Sequence, residues 1–410
     1  MLNVYNKTKS IKQIRNCFPS LAYTDLVYLD TAASSQTVDS AIKAVSDYHY
    51  NYRANVHRGD FDTSSTASDI YEQTRKSIAE LIEADEVEIA FTSGTTHGLN
   101  IIAEHFANDP RPVIITELEH HSNIMPWLKT GRKQKDGTLV VVPASDNGDV
   151  SIEDFTDIIK QNPNSIVSFL TQSNFTGMCL PWQQMVRIAK EHDCEVILDV
   201  CQTIGHKPVS VSQNNIDWLV FSSHKMYGST GTGVLFHRGG FSSITTSYVG
   251  GGTLSFTDFD HYELQPDFRR VEAGTPNVAG VHSIGAAAKW IQEIGYKDIQ
   301  ECEAEFFNML FDKGLFDIKH MKVIGPVEPR SVYSFILPGI NPSDIAGLLN
   351  FDKVCVRTGH LCATPASRRY NQEGTGVLRV SSGPYNDEHD CVKLVEGLWT
   401  ALEKMGYKIS

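Results

Sequence analysis

Lys225 closes the run Trp218-Leu219-Val220-Phe221-Ser222-Ser223-His224-Lys225. The apolar, β-branched part reads as a buried parallel strand, and open α/β sheets bind ligands at the carboxyl ends of such strands. A lysine there can be desolvated enough to act as an amine, which a Schiff-base nucleophile needs. Alone, it would more often be a lysine snorkelling from a strand end, but its company decides otherwise. Asp199 ends a second apolar run, Val196-Ile197-Leu198, and a carboxylate in that position needs a cation to justify its burial. Ser93-Gly94-Thr95-Thr96 precedes a helical pattern, offering backbone N–H groups, hydroxyls and a positive dipole end to a phosphate. Isolated, it would be a plain helix cap.

Two further segments follow strand-like runs: Glu119-His120-His121-Ser122-Asn123, and Asn174 within Ser173-Asn174-Phe175-Thr176-Gly177. Paired histidines are usually surface residues or metal ligands, and a turn asparagine is ordinary. Together, however, a phosphate cradle, a stacking histidine, an aspartate for a protonated ring nitrogen, Gln202 and a Schiff-base lysine are the parts one pyridoxal phosphate needs.

The elements that must position these residues alternate. Ile70, Tyr71, Thr74, Ile78, Leu81 and Ile82 share one helical face, and Leu99, Ile102, Ala103 and Phe106 another. Short apolar runs lie between helices at Val113–Ile115, Leu139–Val142, Ile166–Leu170, Val196–Leu198, Trp218–Phe221 and Val234–Phe236. That order predicts a mostly parallel sheet covered on both faces. The texture changes at residues 239–255, rich in Gly, Ser and Thr. Beyond Pro276, a helical stretch leads to strand-like segments at Val332–Leu337, Lys353–Arg357 and Leu378–Ser381, then a closing helix face of Leu394, Val395, Leu398 and Leu402. These read as a second, smaller α/β domain.

Composition narrows the setting. At 410 residues the chain can bury one large domain and a smaller one. A net charge of −13 argues against a nucleic-acid footprint. No run is long enough to span a membrane, and residues 1–20 lack the apolar region of a secretory signal. The eight cysteines are scattered without a CxxC pair, so free thiols in a reducing, cytoplasmic compartment are expected.

The order of motifs resembles the class V (fold-type I) aminotransferases, specifically the SufS-type cysteine desulfurases. The matching stretches are Tyr28-Leu29-Asp30-Thr31-Ala32-Ala33, Asn55-Val56-His57-Arg58-Gly59, Gly94-Thr95-Thr96, Glu119 to Asn123, Ser173-Asn174, Asp199 with Gln202, Ser222 to Gly228, Glu272-Ala273-Gly274-Thr275-Pro276-Asn277 and Arg357-Thr358-Gly359-His360-Leu361-Cys362-Ala363. The resemblance implies a fold-type I, pyridoxal-phosphate-dependent transferase. Its large domain, residues 21–275, would hold a mostly parallel seven-stranded sheet, and residues 1–20 with 276–410 would form the small domain. It further implies a homodimer in which Thr275 reaches the phosphate of the neighbouring subunit's cofactor. Thr95, Thr96, Ser222 and His224 would hold the phosphate in their own subunit. His120 would stack on the ring, with contacts from Asn174 and Gln202, while Asn174, Arg357 and Arg379 would hold the substrate carboxylate.

Cys362 selects the chemistry within the family. An accessible thiol near Arg357 and His360 suits a nucleophile, and the resemblance makes it the persulfide carrier. The implied reaction converts L-cysteine to L-alanine, leaving sulfur on Cys362 for an acceptor protein in iron–sulfur or other sulfur-cofactor assembly. Lys225 would move the Cα proton, with His120 assisting. The alternatives on the same fold are a selenocysteine lyase, a C–S lyase or an aminotransferase. Three positions depart from the family pattern. Asp199-Val200-Cys201-Gln202 stands where Asp-Gly-Ala-Gln is usual, Thr171-Gln172-Ser173-Asn174 where His-Val-Ser-Asn is usual, and Leu361 where a second histidine is common. Cys201 is expected to serve packing.

Overall fold

The computed structural model describes residues 9–371 and 373–407. Seven strands form the main sheet, in the order Ile89–Thr92, Gly233–His237, Trp218–Ser222, Glu195–Asp199, Ile166–Leu170, Val113–Thr116 and Leu139–Val142. All pairings are parallel except those of Gly233–His237, which runs antiparallel to both neighbours. The six strand-like runs of the sequence are all present. The seventh, Ile89–Thr92, carries no comparable signal: it is four residues long and follows a short acidic turn, Glu86–Glu88.

Both faces of the sheet are apolar and covered. Phe91, Val167, Phe169, Leu198 and Phe221 belong to one buried cluster, while Ala90, Ile166, Ile197 and Val220 belong to another on the opposite side. This is the two-residue period of a strand buried on both faces. Helices Asp39–Asn51 and Asp62–Ile82 pack against Val278–Ile294.

A separate core gathers Phe306, Tyr333, Phe335, Ile345, Leu378, Leu394 and Leu398 with Val27 and Leu29. Ile11, Ile14 and Phe18 instead join the large cluster. The C-terminal sheet is antiparallel, in the order Lys322–Val323, Val332–Ile336, Val377–Ser381, Arg357–Gly359. The single strand expected over Lys353–Arg357 is in fact two. Val354–Cys355 pairs in parallel with Val27–Tyr28, and the chain then turns so that Arg357–Gly359 pairs with Val377–Arg379. Residues 239–255 lead into an unanticipated hairpin, Leu254–Thr257 with Tyr262–Leu264. Among the described residues no helix is long and apolar enough to cross a membrane.

Candidate active site

The carboxyl ends of the parallel strands open into a cavity of about 420 Å³. Every expected site residue except Thr275 lines it: Thr95, Thr96, His120, Asn174, Asp199, Gln202, Ser222, His224, Lys225, Arg357, Cys362 and Arg379. Thr275 lines an adjoining cavity that shares Ser93, Thr96, His97, Gly231 and Thr232 with the first.

The helix Thr95–His105 begins at Gly94, whose φ of 147° lies where side chains are strained. Gly233 packs against that turn so closely that a Cβ would sit 2.6 Å from Gly94 Cα. This lets the helix start reach the end of the lysine strand. Thr95 N–H donates to Ser222 Oγ at 2.9 Å, and Thr95 Oγ1 lies 2.8 Å from the same oxygen. Ser222 is the last strand residue, and Lys225 ends the single 3₁₀ turn that follows. His224 lines the same end, and burial, aided by Lys225, pushes its imidazole down to about 4.

Asp199 is buried at the cavity wall, and its Oδ1 accepts the Cys201 N–H at 2.9 Å. Burial pushes its pKa upward, offset by that N–H and by Lys225. Beside it, burial and the Asp199 charge push the Cys201 thiol up to about 12, so it stays protonated. Its sulfur lies 2.7 Å from Thr95 Oγ1. Cys201 is therefore joined to the helix-start cradle rather than being a packing residue alone.

His120 ends the turn after Val113–Thr116, and burial followed by the Lys225 charge pushes it down to about 4. Its Nδ1 accepts from Ser122 N–H at 3.1 Å, which leaves the ring proton on Nε2. Glu119 anchors this turn from beneath. It receives Thr116 Oγ1, Asn123 Nδ2 and the Leu170 N–H. Gln202 is fixed by its Nε2 donating to Ala32 O at 2.8 Å.

The thiol arrives on a strained loop. Leu361 and Cys362 both have left-handed backbones, with φ of 53° and 54°, a conformation that costs roughly 1–2 kcal/mol per residue. Two contacts offset this: Asn174 Nδ2 donates to Leu361 O at 2.8 Å, and His121 N–H donates to Cys362 O at 2.7 Å. The His121 ring also accepts the Thr364 N–H at 3.1 Å. Cys362 is exposed, and Arg357 lines the cavity with it. His360 is turned to Ser367, with Nδ1 2.7 Å from Oγ.

Both arginines converge on Asp30. Asp30 has no separate role in the sequence reading, and it follows only the short apolar run Val27-Tyr28-Leu29. His121 and Glu119 likewise stand in the sequence only as parts of the Glu119–Asn123 motif. Nothing local in the sequence marks their contacts with Thr364 and Leu170.

A lysine at a strand end, a buried aspartate beside it and a helix start facing both define a class. The chain belongs to the aminotransferase class-V family, whose family model matches residues 27–394. Its curated relatives include a probable cysteine desulfurase of Halalkalibacterium halodurans, 33% identical over 96% of this chain and 98% of that protein. A cysteine desulfurase of Klebsiella pneumoniae subsp. pneumoniae is 32% identical over 97% of this chain and 100% of that protein. Among solved structures, the chain is similar to the apo cysteine desulfurase of Thermococcus onnurineus NA1, with a TM-score of 0.89 and 29% identity over 97% of this chain and 99% of that one. It is also similar to the cysteine desulfurase CsdA of Escherichia coli, with a TM-score of 0.87 and 28% identity over 97% and 100% of the two chains.

Proposed function

We propose that this chain is a pyridoxal-phosphate-dependent cysteine desulfurase that moves the sulfur of L-cysteine onto Cys362 and releases L-alanine. The observation that carries it is that one cavity is lined by Lys225, Asp199, the arginine pair and the exposed Cys362 thiol.

The donor set fits the cofactor. Thr96 and Thr95 at a helix start, with Ser222 and His224, offer donors to a phosphate. The buried Asp199 suits a protonated ring nitrogen, and Lys225 supplies the amine that would tether the group. His120, kept neutral, would lie on the ring, with Gln202 and Asn174 at its edge. Thr275 would complete the phosphate site of a second copy of the chain in a homodimer. When bound, pyridoxal phosphate supplies an electron sink for negative charge developing at the substrate Cα.

The chain's own residues do the rest. Arg379 and Arg357 grip the substrate carboxylate, and Asn174 closes that end. Lys225 takes and returns the Cα proton, and the Nε2–H of His120 can hand on another. Cys362 attacks the substrate sulfur as a thiolate: an S–S bond forms, the C–S bond breaks, and the carbon left behind is protonated to give alanine. The persulfide then passes to an acceptor protein in iron–sulfur or other sulfur-cofactor assembly, in a cytoplasmic setting. The test is mass spectrometry after incubation with L-cysteine. Wild type should carry one added sulfur on Cys362, and Cys362→Ser should carry none and form no alanine. Wild-type alanine formation by Cys362→Ser would favour a lyase.

A further inference from the structure

Arg357 and Arg379 are direct cross-strand partners in the antiparallel pair that closes the C-terminal sheet. Like charges in that register repel, and the Arg379 side chain is only 2% exposed, so water does little to relieve them. Asp30 does. Its segment is fastened to the strand that carries Arg379: Ser381 N–H donates to Leu29 O at 2.8 Å, Thr31 N–H to Ser381 O at 3.1 Å, and Ala32 N–H to Ser381 Oγ at 3.0 Å. The Asp30 carboxylate is thereby held between the two guanidiniums. Arg357 Nε donates to Oδ1 at 3.0 Å and to Oδ2 at 2.9 Å, and Arg357 Nη2 to Oδ2 at 2.7 Å. Arg379 Nη2 donates to Oδ1 at 2.9 Å, and its Nη1 is fixed by Asn174 O at 2.9 Å.

What remains uncommitted is specific. Arg379 Nε and Asn174 Oδ1 are buried without a partner, and both residues line the cavity. Arg357 is half exposed and lines the same cavity as Cys362, so it reaches from the carboxylate site towards the thiol, where a substrate side chain would lie. Its Nε and Nη2 are already taken by Asp30. Two guanidiniums and one carboxylate leave a single positive charge, the complement of one α-carboxylate.

We propose that Asp30 is the positioning and charge-setting residue of the carboxylate site. It locks both guanidiniums and leaves one charge uncompensated, so that the site selects amino acids with one carboxylate over those with two. The proposal rests on the desulfurase reading for its substrate class.

The experiment is calorimetric titration of the cofactor-loaded protein with L-alanine and with L-aspartate. It compares wild type with Asp30→Asn, Arg357→Gln and the double variant. Asp30→Asn should shift the alanine-to-aspartate preference at least tenfold towards aspartate, because Arg357 is freed for the second acid. A merely structural Asp30 would weaken both ligands alike, and an unmoved ratio overturns the proposal. Arg357→Gln, which cancels the net charge, should weaken alanine at least tenfold. The double variant restores the charge and should recover several-fold of that loss, whereas losses that simply add would refute the account. Should Asp30→Asn fail to fold, Arg357→Gln still decides: wild-type alanine affinity there sinks the charge argument. These titrations involve no sulfur transfer. A wild type that binds alanine but forms no persulfide from L-cysteine would therefore remove the desulfurase reading and leave this one standing.

Discussion

Glu119 is the strongest case for a pH-dependent cost built beneath the active site. It has no solvent exposure, and burial pushes its pKa from the ordinary 4.5 up to about 8, with nearby Asp199 adding to the rise and hydrogen bonds opposing it. In the protonated form its O–H donates to Thr116 Oγ1, 2.6 Å away. The other oxygen still accepts from Asn123 Nδ2 at 2.8 Å and from the Leu170 N–H at 3.1 Å. Asn123 cannot swap ends, because its Oδ1 already receives Ser168 Oγ and Trp127 Nε1. Glutamine copies that protonated acid. The sign follows from linkage: a carboxyl group with a raised folded pKa contributes fully below pH 4.5. That contribution is lost as the unfolded chain sheds its proton first, until the folded protein ionises near pH 8. A rise from 4.5 to about 8 is worth on the order of 5 kcal/mol, at about 1.36 kcal/mol per unit. Glu119→Gln should therefore gain on wild type by several kcal/mol between pH 5 and 9, read as the difference between urea unfolding curves at equal cofactor loading. At pH 6 to 7 it should keep activity within a few-fold of wild type. A stability gap that stays flat with pH would show Glu119 ionised in the fold and refute the reasoning.

Lys225→Ala should abolish alanine formation, and borohydride treatment followed by peptide mass analysis should find cofactor on Lys225 in wild type alone. Cys201→Ala should keep most activity, since the lost contact is a thiol hydrogen bond to Thr95, but cofactor should dissociate a few-fold faster in dialysis. Thr275→Ala should weaken cofactor retention without changing mass by light scattering, which should report a dimer; an active monomer would count against the shared phosphate site.

The residues that end long apolar strands were legible in the sequence. Asp199 closes one five-residue strand and Lys225 ends the single turn after another, and continuous burial writes itself as a continuous apolar run. The helix start at Gly94 was legible because few residue types tolerate its geometry. Asp30 was not, since the strand before it is two residues long and its partners lie 327 and 349 residues further on. The same distance problem hid the Thr95 contact of Cys201, which only the fold brings together. The left-handed pair Leu361–Cys362 has no signature either, because neither residue is the glycine or asparagine that such backbones favour.

The long reach of Asp30 also sets a schedule. On the ribosome the part of the cavity lined by Thr95, Asp199 and Lys225 is fully synthesised once residue 232 has emerged, whereas the Asp30 ion pairs need residues 30, 357 and 379 together. At ordinary elongation rates roughly 20–70 s separate the appearance of Asp30 from that of Arg379. Throughout that interval Asp30 is an unpaired acid that favours water over burial. The nascent chain can thus assemble the sheet that will carry Lys225 well before Asp30 meets either arginine, and under the proposed function substrate recognition is among the last properties the growing polypeptide acquires.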